Sequence, residues 1–475
     1  MDLRYFIAKW ENEGQLKRVK AQVDWNLELS HIAKLVEEKD GPALLFENIK
    51  EYSSPVITGV YATARRLSDI MGKSGTSSLV ELTREWMKTL TESKSLVESK
   101  ETRSGPIFEN VIDGDKASIL SFPVPRYYEQ DGHRYFGTAI YMVSQDPESG
   151  RVNLGTFRMG VHDEKHLGVQ ILKGKTTDRI LQRYAKAKKK MPVCVVMGGD
   201  PLLMIASAAT LPGIKSAYDA VSTLRGEPLN LVRGELTGLP FPSDAEIAIE
   251  GEIDPSILKE EGPFGEYTGY YTEELFKPLP KPVIEIKRIY HRNNPILVAT
   301  TVGRPVGDQH MLYAFARNAA LWTELESMKI PGIQSVYTLP EAAGRFWVIL
   351  SIRQMYPGHA EQVAHAVIAS NTGMYGVKGV VVVDDDIQAD DLDRVWWALG
   401  VRYNPLRGTQ IIQRGRSTPL DPSLGPEDNK FITPRILINA TIPYEWAQKP
   451  VEVKLNEEVV KNIRARWQEL GLGDI

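Results

Sequence analysis

The sequence predicts a mixed α+β and α/β chain: a split β-barrel, a long connecting helix and a C-terminal α/β domain. Three observations carry that prediction. First, "ASILSFPVP", "RYFGTAIYMVSQD", "GRVNLGTFRMGV" and "HLGVQIL", within 117–172, are short β-rich runs broken by Gly, Pro and Asp, the pattern of antiparallel strands. Second, alternation returns in "DAEIAIEGEI" and "PVIEIKRIYHRNNPILVATTVG", the latter a hairpin candidate through Asn293-Asn294. Between the two sets lie a helix over 177–190, the buried-type strand "MPVCVVMGG" and a small-residue helix over 200–210. The barrel strands therefore come in two groups around an α/β insertion. Third, 308–328 is one long helical pattern, after which strands ("FWVILSIRQM", "GVVVVDDDI") alternate with helices over 359–370 and 390–399, as in a largely buried sheet.

Ahead of the barrel, the expected elements are helices over 3–14 and 28–39, a strand at "ALLFENI", and helices over 61–70 and 77–93. The expected division is 1–115 for this mixed segment, 116–307 for the barrel, 308–328 for the connecting helix and 329–475 for the C-terminal domain.

A chain of 475 residues, 42% hydrophobic and 25% charged with mean hydropathy −0.26, has the composition of an ordinary globular protein. Its net charge of −4 gives no electrostatic case for nucleic acid. The basic run Lys186–Lys190 closes a helix, where the dipole favours cations. The single cysteine, Cys194, excludes an intramolecular disulfide framework and a multi-cysteine metal site, and in "VCVVM" it reads as a core residue. The charged N-terminus reads as a helix, not a signal peptide, and no stretch has the roughly 18 apolar residues of a membrane span. The expected location is the cytoplasm.

The chemistry-bearing stretch is "KEEGPFGEYTGYY" at 259–271, with Glu261 and Glu266 five apart. A strand would point them to opposite faces roughly 17 Å apart, and a helix would splay them by about 140°. Only a turn brings them together, and Gly262, Pro263 and Gly265 form turns. The flanking Tyr267, Tyr270 and Tyr271 offer aromatic walls, and burial among aromatics raises a carboxylate's pKa toward that of a general acid. In isolation the turn reads first as a solvated acidic loop. A second, charged carboxylate needs a cation, and "NLGTFR" supplies Arg158, in a predicted strand with Asn153. Ideal alternation places those two on opposite faces, unless Gly155 marks a bulge. His162 and His166 lack the shared face of a helical zinc pair. "MGGDP" at 197–201 reads as a ligand-approach turn without the GxGxxG fingerprint, and the three acids of "VVVVDDDI" read as a solvated loop and helix cap.

Together "NLGTFR", "PVCVVMGGDP", "LRGEP", "AEIAIEGEI", "EGPFGEYTGYY", "MYPGHA" and "GVVVVDDDI" with "DLDRVWWAL" resemble the UbiD family of reversible (de)carboxylases, over nearly the whole chain. The resemblance implies that the split barrel binds prenylated FMN and that the C-terminal domain makes a homo-oligomer, dimer or hexamer. It implies an ion pair of Arg158 with Glu261, and Glu266 as proton donor and acceptor. It places Thr210 and Pro212 of "AATLP" against the flavin. In the family a divalent metal such as Mn2+, with K+ in some members, ties the flavin phosphate to Asn, His and Glu. Asn153 matches the first ligand; the His position falls on Lys175 or Thr176, and the Glu position on Asn230. Glu227 is then a substitute metal ligand, or Lys175 meets the phosphate as a point charge. The implied activity is decarboxylation, or the reverse carboxylation, of an aromatic or heteroaromatic acid, with a flavin prenyltransferase supplying the cofactor. The competing reading is a non-catalytic or partner-dependent subunit of an aryl carboxylase complex. A two-carboxylate glycosidase leaves Arg158 without a role.

Overall fold

Alternating Ile and Ala with Glu gives the chain its longest strand, Ala245–Glu261, which pairs antiparallel with Leu279–His291 from Ile247↔His291 to Glu261↔Leu279. The computed structural model that reveals this describes residues 1–73, 78–92, 96–208, 216–271 and 278–473. The pair belongs to a nine-stranded sheet: β1 (Asn110–Asp113), β2 (Arg134–Gly137), β3 (Tyr141–Gln145), β4 (Val152–Thr156), β5 (Met159–Asp163), β6 (His166–Val169), β7 (Met191–Gly198), β8 (Ala245–Glu261) and β9 (Leu279–His291). Their order is β2-β5-β6-β9-β8-β7-β3-β4, with β1 also paired to β9.

That order forces the sheet to curl. β4 is one edge, and β5 lies one strand in from the other edge, yet only Phe157 and Arg158 join them. Three Cα steps reach roughly 11 Å at most, so the two edges must nearly meet. The result is a half-barrel whose seam is crossed at Arg158. The expected bulge at Gly155 is absent: β3 and β4 pair in unbroken register from Tyr141↔Thr156 to Gln145↔Val152. Departure from the strand, not a bulge within it, turns Arg158 toward the same side as Asn153.

Helix α1 (Thr176–Lys186) buries Thr177, Ile180, Leu181 and Tyr184 and packs on β8, with Arg183 and Lys186 in its last turn. Beneath it β7 is buried on both faces, Cys194 included. Helix α2 (Leu202–Ala208) follows, and helix α3 (Asp308–Ser327) ties the cores together. Leu312, Phe315 and Ala319 of α3 join the barrel core, whereas Leu321, Trp322 and Leu325 join that of the C-terminal sheet. That sheet has the order Ile333–Thr338, Trp347–Ile352, Gly379–Asp384, Ile432–Asn439, Thr409–Arg416. No helix among the described residues is long and apolar enough to cross a membrane.

Two local expectations fail for physical reasons. Asn293-Asn294 does not close a hairpin: Leu297–Val298 pairs in parallel with Val56–Ile57 in a separate four-stranded sheet at the N-terminal end. The long hairpin is instead β8–β9, in which Glu261 ends the first strand and Glu266 lies in the connection that follows. "ASILSFPVP" contains a 3-10 turn at Ile119–Ser121 rather than a strand, because Pro123 and Pro125 lack the N–H a ladder requires.

The "MGGDP" turn is structural. Gly198 and Gly199 both have positive φ (79° and 78°), and a Cβ on Gly198 would lie 2.6 Å from Glu246 Cγ. The turn delivers Asp200 to a buried bidentate pair with Arg225, at 2.6 and 2.7 Å. Removing one member of such a pair leaves an uncompensated buried charge. Arg225→Met should therefore lose about 3–5 kcal/mol of stability; an unchanged denaturant midpoint would contradict this role.

Candidate active site

Each member of the Glu-Arg-Glu set comes from a different kind of backbone. Arg158 crosses the seam, Glu261 is the last residue of β8, and Glu266 lies in the connection to β9. Arg158 Nε and Nη2 donate to Glu261 Oε1 and Oε2 at 3.1 and 2.8 Å, while Nη1 donates to Glu266 Oε1 at 2.5 Å. All three side chains are buried. Burial opposes the charge on Glu261, but the Arg158 guanidinium outweighs it and, with Lys281 Nζ 3.9 Å away, holds the carboxyl below its ordinary range. The guanidinium lies 4.8 Å from the ring centre of Phe264. Glu261 needs a slot, and two glycines make it: Gly160 of β5 and Gly168 of β6 pair directly across their strands. A Cβ on either would lie 3.0 Å from Glu261 Cγ.

The turn is fixed from two sides. Asp131 Oδ1 accepts from the Gly265 N–H (2.8 Å) and the Tyr271 hydroxyl (3.2 Å), and Oδ2 accepts from the Tyr128 N–H (3.0 Å). The Pro263 carbonyl accepts from the Gly132 N–H and the Tyr135 hydroxyl, at 2.8 and 3.1 Å. From α3, His310 Nε2–H donates to the Tyr267 carbonyl at 2.7 Å. Of the three tyrosines in the turn, Tyr267 alone lines the cavity; Tyr270 is exposed and Tyr271 braces Asp131. Burial pushes the Tyr267 hydroxyl up to about 12, so it stays protonated.

Arg158 and Glu266 open onto a cavity of about 480 Å³ between the barrel, α2, α3 and the C-terminal domain. Ile140, Leu154, Leu172, Met204 and Leu312 give it apolar walls, and Asn153, Lys175 and Thr176 also line it. The buried polar atoms Gln170 Oε1, Tyr267 Oη, Gln309 Oε1, Arg317 Nε and Arg345 Nε belong to lining residues and make no hydrogen bond. Buried polar atoms are nearly always paired, so this set marks a ligand site.

Asn153 Nδ2 donates to Thr177 Oγ1 at 3.0 Å, and Lys175 sits at the N-cap of α1 without a side-chain cap. The open amides of α1, the dipole and Lys175 suit a phosphate. They do not suit a divalent metal. Glu227 is exposed just after helix Ala217–Arg225 and its C-cap Gly226 and does not line the cavity, Asn230 is exposed on strand Asn230–Arg233, and no group of three or more His, Cys, Asp and Glu placed to hold a metal exists among the described residues. Thr210 and Pro212 lie outside the described residues. His162 and His166 do not come together as ligands: His166 pairs with Asp163, and the His162 ring meets His133 edge-on.

Sequence reasoning missed Asp131, Gly160, Gly168, Lys281, Arg317 and Arg345. One signal was available: Gln309, Tyr313 and Arg317 recur every four residues on α3 and therefore share a face.

The chain matches three family models: the 3-octaprenyl-4-hydroxybenzoate carboxy-lyase N-terminal domain over 7–86, the Rift-related domain over 98–305 and the C-terminal domain over 310–440. It is 31% identical to an uncharacterized protein of Aquifex aeolicus over 99% of both chains. It superposes on the vanillic acid decarboxylase of Sedimentibacter hydroxybenzoicus, in an open form with a truncated second component, with TM-score 0.86, 28% identity and coverage of 99% and 98%. An evolved dimeric form of the UbiD-class enzyme HmfF from Pelotomaculum thermopropionicum, in complex with prFMN, gives TM-score 0.80, 27% identity and coverage of 96% and 99%.

His310 provides a test of the bracing. Burial lowers its pKa to about 4, whereas an unfolded histidine titrates near 6.5. Between those values the unfolded chain binds more protons, so stability is present above pH 6.5 and is lost as pH falls toward 4. That loss should amount to about 2 kcal/mol at pH 5. The denaturation midpoint of His310→Gln should fall correspondingly less than wild type between pH 8 and pH 5; equal falls would assign the pH sensitivity to other groups.

Proposed function

Because this chain belongs to the UbiD family of carboxy-lyases, we propose that it decarboxylates an aromatic or heteroaromatic acid, reversibly and without net oxidation, with prenylated FMN bound in the barrel cavity. The observation that carries the reading is Arg158 bonded at once to Glu261 and Glu266 on the cavity wall. Asn153, Lys175 and the open amides of α1 would hold the flavin phosphate, and the apolar walls would take the ring system. The bound flavin supplies an electron sink for the pair left on the ring carbon when the carboxylate departs as CO2.

The protein's own part is positioning and proton transfer. Arg158, locked by its bidentate pair with Glu261, orients the substrate carboxylate by charge-assisted hydrogen bonds. Glu266 lines the cavity and Glu261 does not, so Glu266 is the member that exchanges a proton. In its acid form it delivers that proton to the carbon that lost CO2; for carboxylation it removes one. Glu261 keeps its charge and holds Arg158 in place through both states. We assign no step to a divalent metal, because the donors for one are not assembled among the described residues.

Glu266→Gln should abolish turnover, by at least roughly 100-fold for loss of a general acid, while flavin absorbance and fold persist. Full activity in that variant would sink the assignment. Gly160→Ala should push Glu261 from its slot, weaken the pair and lower kcat with flavin still bound; wild-type kcat would show that the slot is not needed.

A second reading, a subunit dependent on a partner or on further copies, is favoured by one feature. Trp396, Val401, Leu406 and Ile411 of the C-terminal region are apolar and exposed, Leu406 by 97%, and such patches mark interfaces. A homo-oligomer is the assembly we expect. Visible absorbance of the chain purified after co-expression with a flavin prenyltransferase separates the readings: bound flavin supports the enzyme, and none supports the dependent subunit.

A further inference from the structure

Two glycines near the two-glutamate turn face the same side chain. Gly262 has φ 106°, the left-handed backbone that favours glycine, whereas Gly265 lies outside that region. What requires glycine at 265 is therefore space: a Cβ there would lie 2.7 Å from Cδ2 of the Tyr128 ring. The far end of that ring abuts Gly303, where a Cβ would lie 2.8 Å from Cζ. Tyr128 Oη donates to the Val302 carbonyl, and Val302 lines the cavity while Tyr128 does not. Burial pushes the Tyr128 hydroxyl well up, so it stays protonated and remains a donor. The ring stands on a closed backbone loop. The Asp131 N–H donates to the Tyr128 carbonyl and Asp131 Oδ2 accepts from the Tyr128 N–H, both at 3.0 Å. Ser30 Oγ donates to the neighbouring Tyr127 carbonyl at 2.7 Å.

We propose that Tyr128 is a positioning residue for proton transfer: its ring is the stop against which Asp131 holds Gly265, and so it fixes where Glu266 stands. Asp131 Oδ1 draws the Gly265 N–H toward it at 2.8 Å, and the ring limits the approach. A hydrogen bond alone tolerates a broad range of geometry, whereas a bond pulling against a rigid contact leaves one position. Glu266 follows Gly265 across a single planar peptide, so a shift of Gly265 is passed on to it. Glu261 is held independently, since it ends β8 paired with Leu279 of β9. Moving Gly265 should therefore displace Glu266 from Arg158 Nη1, now 2.5 Å away, and leave the Arg158–Glu261 pair in place. Through the Val302 carbonyl the same ring sets the spacing between this turn and the cavity wall.

That role rests on the proposed decarboxylase reading, whereas the position of Glu266 can be read without it. Crystal structures of the holoprotein loaded with prenylated FMN and of its Tyr128→Ala, Tyr128→Phe and Gly265→Ala variants provide the test. In Tyr128→Ala and Gly265→Ala the Arg158 Nη1 to Glu266 contact should open beyond hydrogen-bond reach, about 3.5 Å, with the bidentate pair to Glu261 kept. Tyr128→Phe, which retains the ring, should keep both. Gly265→Ala adds a single methyl group and carries the test if Tyr128→Ala does not fold. A contact retained in either alanine variant, or lost in Tyr128→Phe, overturns the proposal. Loss of the Glu261 pair along with it does so too, because that marks a general loosening of the seam. With benzoate or 4-hydroxybenzoate, whichever the starting holoprotein decarboxylates, kcat of the alanine variants should fall roughly 100-fold, as for a misplacement of about 1 Å. KM should change little, and Tyr128→Phe should recover most of the rate; wild-type kcat in the alanine variants overturns the role. Absence of flavin or of turnover in the starting protein would count against the decarboxylase reading and leave the structural test of Tyr128 standing.

Discussion

The three-way contact of Arg158 with Glu261 and Glu266 is the interaction on which the rest of the site depends. Its geometry is possible only because the half-barrel nearly closes, and near-closure is enforced by the two-residue link that carries Arg158 itself. A fully buried Glu261 would be costly alone. Two hydrogen bonds from one guanidinium, with Lys281 behind, make its charge tolerable. The pair in turn fixes where the remaining Nη1 points, and so where Glu266 sits. The two carboxylates are chemically identical, and their positions separate their roles: Glu266 lines the cavity and Glu261 does not.

Electrostatics divides the cavity into regions. The seam is locally neutralised, whereas the mouth of α1 and the wall formed by α3 and the C-terminal domain are cationic. A metal would be one way to offset an anionic cofactor. Here Asn230 and Glu227 are exposed and do not line the cavity, whereas Lys175 does.

Much of the fold was legible because period-2 alternation and long helical periodicity are local signals. β8, β7, α1 and α3 were readable from their own residues, as was the turn that brings Glu261 toward Glu266. Pairing was less legible. Leu297–Val298 looks like the return strand of a hairpin but joins another sheet, since its partner, Val56–Ile57, lies about 240 residues away in sequence, a separation no local pattern encodes. Arg158 looks like a strand residue, and only the strand order reveals that it stands at a seam. Asp131 gave no signal, because its importance rests on the N–H groups of Gly265 and Tyr128, which any residue type could present.

By itself the sequence determined the classes of element, the chemical types available at the site and, through motif resemblance, the family expectation for Arg158, Glu261 and Glu266. Those follow from residue identity and spacing along one chain. Tertiary structure decided which charges are paired and which are not. It paired Arg158 with two glutamates, left Arg317 and Arg345 without a carboxylate partner among the described residues, placed Glu227 away from the cavity and opened a glycine slot for Glu261. Burial and pairing depend on segments far apart in sequence, because the energy of a charge is set by what surrounds it in space.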